Sequence, residues 1–342
     1  MNERKTHLDA MRILACFLVI VNHTNSRVFL SFAPSATWFI SLTYFFISKT
    51  AVPMFLLISG ALLLKKQDGY KNNSVRFWRI LEALVIFSFL YYIRNCAISG
   101  SAVDIREFFA IIYRGSITNA FWYLYLYLGV LIMLPLLQRA VSAFKKKDYL
   151  YFCGVSLLIL GSLPIIKHYF PSLKESAGLH LPVFSAYLGL MAAGHYFENV
   201  CPPGKKIVKW AAALLLLCIV LSVIGTYYEY KNDSFAYLFF DDRTSVLITV
   251  PSVCIYILFK HFYPVRELKK KTASDITGIS VLTFGTYLLS DMIIEMTETL
   301  YRSLSGVIHP MASMLIWELT IFIICLILTW LLRKLSYFRK LL

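Results

Sequence analysis

The stretch from Leu8 to His23, LDAMRILACFLVIVNH, decides how the rest of the chain is read. It is an apolar run of membrane-span length that keeps an arginine, Arg12, and a histidine, His23, with ten residues between them. Eleven steps of an α-helix make about three full turns, so both side chains share one stripe, roughly 16 Å apart along the axis. Exposing charge to lipid is costly, so an ionisable stripe in a spanning helix faces a protein interior and marks a candidate functional site.

The composition agrees with a membrane setting. The chain is 58% hydrophobic and 15% charged, with a mean hydropathy of +0.66, whereas roughly a quarter of a soluble domain is charged. Apolar runs predict ten spans, near residues 10–31, 38–64, 78–98, 119–138, 149–167, 181–198, 208–230, 244–262, 277–297 and 309–332. The expected fold is an all-α polytopic membrane helix bundle of about ten transmembrane helices. Its second span is long enough to tilt or to begin as a short interfacial helix around Trp38 to Phe46.

An even number of spans puts both termini on one side. Of the 34 Lys and Arg residues, 24 then fall on the side of the termini and ten on the other. By the positive-inside rule both termini are cytoplasmic. The +15 charge therefore reports topology and contact with anionic membrane lipid, and without a soluble basic domain it argues against a nucleic-acid partner. The seven cysteines contain no CxxC pair and read as small core residues, with neither a disulfide framework nor a metal site. The first apolar run is too long and too punctuated by polar groups for a cleaved signal peptide.

The linkers are short. The longest, Lys65 to Phe77 and Gly100 to Asn119, have room for one amphipathic helix each, and no internal repeat is evident, so residues 1–342 read as a single membrane domain. Any chemistry lies within or beside the bundle.

Arg12 is expected near the cytoplasmic interface and His23 about halfway through the hydrocarbon layer. A histidine there fits a base that takes a hydroxyl proton and returns it to a leaving group. It fits equally well a helix–helix hydrogen bond with Asn22 or a neighbouring hydroxyl. Asp9, one turn before Arg12, pairs with it as a structural brace. Arg76 and Arg79, in SVRFWRIL, repeat the i, i+3 geometry where the chain enters its third span; they suit phosphate, or ordinary positive-inside flanking. Glu82 follows by one turn. Asp291, Glu295 and Glu318 fall inside the last two spans, where a buried carboxylate needs a partner such as Arg12, Arg79 or His23. Trp122, Tyr123, Tyr125 and Tyr127 read as an interfacial belt or a sugar-stacking platform. Asp241, Asp242 and Arg243 read as a solvated outer loop. No phosphate loop, HExxH or GxSxG motif occurs in a suitable context.

The order LDxxRxxA, Arg12-x10-His23, FLLISGALL, Arg76-x2-Arg79 and FWYLYLYLGVLIMLPLL resembles the acyltransferase 3 family of multi-pass membrane acyltransferases over essentially the whole chain. The resemblance implies acetyl-CoA as a cytoplasmic donor substrate, with no permanently bound cofactor, and O-acetyl transfer to a hydroxyl of a cell-surface or lipid-linked glycan at the cell membrane. It maps the family's important arginine and histidine onto Arg12 and His23, and its donor-binding arginines onto Arg76 and Arg79; by their helical spacing Asp9 and Glu82 are expected to support them.

The chain departs from its relatives in two places. Many resemble YLxH where this chain has FGTYLLSDMI, with Ser290 and Asp291. Some carry a fused extracytoplasmic esterase-like domain that this sequence lacks, so either the bundle acetylates its acceptor directly or a separate extracytoplasmic partner protein completes transfer. The alternative function is membrane transport of a small amino acid or related solute, because a similar membrane domain accompanies racemase domains in some glycopeptide-resistance proteins. Transport favours broken helices in symmetric halves, and the prolines show no such symmetry.

Overall fold

The computed structural model describes residues 5–24, 26–31, 33–66, 69–170, 185–233, 242–263 and 270–342. Among the described residues every regular element is helical. In chain order these are α1 (Thr6–Thr24), α2 (Ser26–Phe29), α3 (Ala36–Ser48), α4 (Ala51–Leu63), α5 (Tyr70–Ser99), α6 (Ile105–Arg114), α7 (Trp122–Ala143) and α8 (Lys146–Cys153). They continue with α9 (Leu160–Tyr169), α10 (Ala186–His195), α11 (Lys205–Asp233), α12 (Val246–Phe262), α13 (Lys270–Ser305), α14 (Pro310–Leu332) and α15 (Ser336–Leu341). A 3-10 turn, Asn119–Phe121, leads into α7, a π turn, Gly154–Ile159, joins α8 to α9, and another, Tyr196–Val200, extends α10.

Among the described residues seven segments are long and apolar enough to cross a membrane: α3 with α4, α5, α7 with its leading turn, α8 through α9, α11, α13 and α14. The chain is an all-α, multi-pass membrane protein. Three of the ten expected spans correspond to lesser helices. α12 is apolar but only 17 residues long, α10 is short, and α1 is diluted by Asp9, Arg12, Asn22 and His23.

Two boundaries differ from expectation for identifiable reasons. The second span is broken at Lys49 and Thr50, because Pro53 has no N–H to give the Lys49 carbonyl. There the Ser48 and Thr50 hydroxyls turn back onto the Phe45 and Ile47 carbonyls, each at 2.6 Å. The third span begins earlier than its apolar run, at Tyr70 behind Gly69, and ends at Gly100, whose φ of 69° is the left-handed conformation of a glycine C-cap. The expected helix between Gly100 and Asn119 is α6, capped by the Asp104 carboxylate accepting from the Arg106 N–H at 2.8 Å.

The chain divides into two compact units. The first comprises Met1–Lys66 and Gln138–Thr277. In it α1 packs on α3, α4 and α12, burying Leu8, Met11, Ala15, Leu18 and Val19. The α4 and α10 backbones touch through two glycines. A Cβ on Gly60 would lie 2.0 Å from the Met191 carbonyl oxygen, and one on Gly194 equally close to that of Leu57. Such small residues permit close helix approach inside a membrane, where burial of apolar surface offers little drive. Because only backbone opposes the added methyl, Gly60→Ala is expected to destabilise by at least about 1–3 kcal/mol. A lowered thermal midpoint in detergent would register this, and an unchanged midpoint would refute the contact.

The second unit comprises Gln67–Leu137 and Gly278–Leu342. Gly285 of α13 admits the Thr329 side chain of α14, whose Cγ2 would be 2.4 Å from an added Cβ. The Trp317 indole donates to the Thr297 hydroxyl at 2.8 Å. The Tyr125 hydroxyl donates to the Ile112 and Gly115 carbonyls at 2.8 and 3.1 Å, tying α7 to the end of α6. Tyr123 is buried, its ring 5.7 Å from Tyr127 and 6.2 Å from Tyr287, so these tyrosines pack internally more than a belt would.

Candidate functional site

α1 is unbroken through Arg12 and His23, which preserves their separation of about three turns. Arg12 Nη1 donates to Asp9 Oδ1 at 3.2 Å, and the Thr277 hydroxyl to Asp9 Oδ2 at 3.4 Å. Asp9 is only 4% exposed, so these bonds replace its water and set the direction of the arginine. Just beyond α12, burial and then the charge of Asp9 push the Tyr263 phenol above its ordinary value. Its oxygen is buried without a hydrogen bond.

His23 lies half-buried in the last turn of α1. The adjacent Thr24 hydroxyl is turned onto the Ile20 carbonyl at 2.9 Å. Asn22 Oδ1 is buried without a hydrogen-bond partner, so the bond to Asn22 considered from the sequence is not made through that oxygen. Successive helical residues point to different faces.

In the second unit Arg76 and Arg79 sit in the early turns of α5. Arg76 Nη1 donates to Asn73 Oδ1 at 2.8 Å, while Arg79 uses Nε on the Leu341 carbonyl at 2.8 Å. Glu82 accepts from the Tyr337 hydroxyl. Arg79 and Glu82 are thus both engaged by α15, a contact that no spacing in the sequence announces.

The pattern of the family described as an acyltransferase domain matches residues 6–334. The chain belongs to the acyltransferase 3 family. No curated protein and no solved structure matches it. Membership makes group transfer, rather than solute transport, the activity to account for, and the match runs through both units.

Several acyltransferase residues take partners that the sequence did not supply. Asp291, the residue after Ser290, which stands where the histidine of the YLxH pattern is expected, receives the Thr118 hydroxyl and the Ala120 N–H, the latter at 2.9 Å. The carboxylate thereby caps the turn that starts α7, and Tyr287 donates to the Ala120 carbonyl beside it. Glu295 pairs with Arg94, and Glu318 is fully buried. Asp242 Oδ1 takes the Thr244 N–H and hydroxyl at 2.8 and 2.7 Å, ordering the turn before α12; Asp241 lies outside the described residues.

Sequence reasoning missed Glu198 altogether. In the first unit its Oε1 takes Lys5 Nζ at 2.8 Å. Its Oε2 meets His7 Nε2 at 3.1 Å, the Tyr256 hydroxyl at 2.9 Å and Lys260 Nζ at 2.7 Å. The contributors come from the start of α1, the end of α10 and the end of α12. The only local sign was an acidic residue closing an apolar run on the lysine-rich side of the expected bundle.

Proposed function

We propose that this membrane acyltransferase is an O-acetyltransferase of the cell membrane. It takes acetyl from acetyl-CoA on the cytoplasmic side and delivers it to a hydroxyl of a cell-surface or lipid-linked glycan. The observation that carries the reading is α1, a continuous helix that fixes Arg12 through Asp9 and holds His23 about three turns further along.

In the reaction the acceptor oxygen attacks the thioester carbonyl. A C–O bond forms as the C–S bond breaks, and His23 takes the hydroxyl proton and passes it to the departing thiolate. The thioester is already activated, so positioning and proton transfer suffice. Arg76 and Arg79 hold the donor's phosphates, for which guanidinium forks are suited, and Glu82 supports their end of α5. Where the acceptor lies beyond the bundle, a separate extracytoplasmic partner completes delivery.

The test uses purified protein in vesicles with acetyl-labelled acetyl-CoA and lipid-linked glycans. Label is expected in glycan hydroxyl esters, and its absence despite bound donor and intact acceptor would refute the glycan assignment. Arg76→Ala combined with Arg79→Ala is expected to weaken coenzyme A binding by roughly tenfold or more per arginine. Unchanged affinity would remove the phosphate role.

A further inference from the structure

We infer that α15 and the turn before it complete the phosphate-holding site at the start of α5, with Arg333 and Arg339 joining Arg79 in one guanidinium cluster. This rests on the donor-site reading of Arg79. The last helix is docked there by several independent contacts. The Leu341 carbonyl takes Arg79 Nε at 2.8 Å, and the Tyr337 hydroxyl reaches Glu82. Phe338 meets Phe87 edge-on with ring centres 6.5 Å apart, and Leu341 and Leu342 are 2% and 3% exposed.

Docking brings like charges together. Arg79 lies within electrostatic reach of Arg333, and Arg333 of Arg339. Burial, followed by the charge of Arg339, pushes the Arg333 guanidinium below its ordinary value. Among the described residues none of the three is within ion-pairing distance of a carboxylate, although Glu82 is one turn from Arg79 and is taken by Tyr337. Lys334, by contrast, is spent over the Trp330 ring at 3.9 Å. Guanidiniums that the fold gathers with no carboxylate in ion-pairing distance among the described residues fit a ligand bearing several phosphate charges, because each fork can take two oxygens of one phosphate. Holding Arg79 by Nε leaves its terminal nitrogens to do so. The same chemistry suits the phosphates of coenzyme A and an anionic lipid headgroup.

The experiment places full-length protein in phosphatidylcholine nanodiscs and measures coenzyme A binding for wild type, Arg79→Gln, Arg333→Gln, Arg339→Gln and Arg339→Lys. A second arm measures retention of labelled phosphatidylglycerol. Arg339 is exposed, so its variants are expected to fold like wild type, and matched melting midpoints check this. Each glutamine variant is expected to weaken coenzyme A binding about tenfold, with Arg339→Lys recovering part of the loss. If Arg79→Gln weakens binding while both tail variants stay within twofold of wild type, the inference fails and the donor reading survives. If coenzyme A binding is unchanged in all variants but phosphatidylglycerol retention is lost, the cluster stands as a headgroup site and the donor reading fails. If neither probe responds to any variant, the cluster is not a phosphate site.

Discussion

Replacing His23 by alanine is expected to slow acyl transfer by about 10²–10⁴-fold, the usual share of a positioned general base, while the protein still inserts, purifies and binds donor. The imidazole is half-buried at the end of α1, so its loss removes little packing. His23→Gln separates the two roles that its position permits. Glutamine keeps a hydrogen-bonding side chain of similar reach but cannot carry a proton between the acceptor hydroxyl and the thiolate. If the histidine is the base, both variants fall together. Near-normal transfer in His23→Gln, with loss only in His23→Ala, would make it a structural hydrogen bond and move the chemistry elsewhere. The readout is initial rate in vesicles at matched protein and donor occupancy, because a binding defect would otherwise imitate a catalytic one.

What was legible in the sequence followed from local periodicity. Apolar runs located the long spanning helices, since a span must satisfy its backbone internally wherever it meets lipid, and the three-turn stripe of α1 needed only helical geometry. Boundaries were harder where breaking and starting signals are single residues. Pro53 splits the second span four residues after Lys49, and Gly69 lets α5 begin well before its apolar run. The partners of polar groups were not legible at all. Asp291 reads as an isolated buried acid until the turn before α7 is folded against it, and Arg79 and Glu82 read as flanking charges until α15 returns from more than 250 residues away. Such contacts are properties of tertiary packing, and no spacing along the chain encodes them.

Glu198→Ala is expected to destabilise the first unit by about 3–5 kcal/mol, the cost of removing one side of a buried ion pair and leaving the other. The Glu198 side chain is only 3% exposed and is a counter-charge of Lys260, whose side chain is 18% exposed. Lys5, at 36%, is screened by solvent and contributes less. The loss therefore falls mainly on Lys260, His7 and the Tyr256 hydroxyl, which all converge on Oε2. Because the same carboxylate gathers Lys5 and His7, it anchors the start of the helix that carries Arg12 and His23. Transfer should fall with stability even though Glu198 is far along the sequence from either residue. A cycle with Lys260→Met tests this directly. Removing both charges should cost less than the sum of the single losses, since an uncompensated ammonium no longer remains. Thermal midpoints in one detergent for the four proteins measure it. Additive losses would show that Glu198 and Lys260 act separately, and a midpoint for Glu198→Ala no lower than that of a surface substitution would remove the anchor.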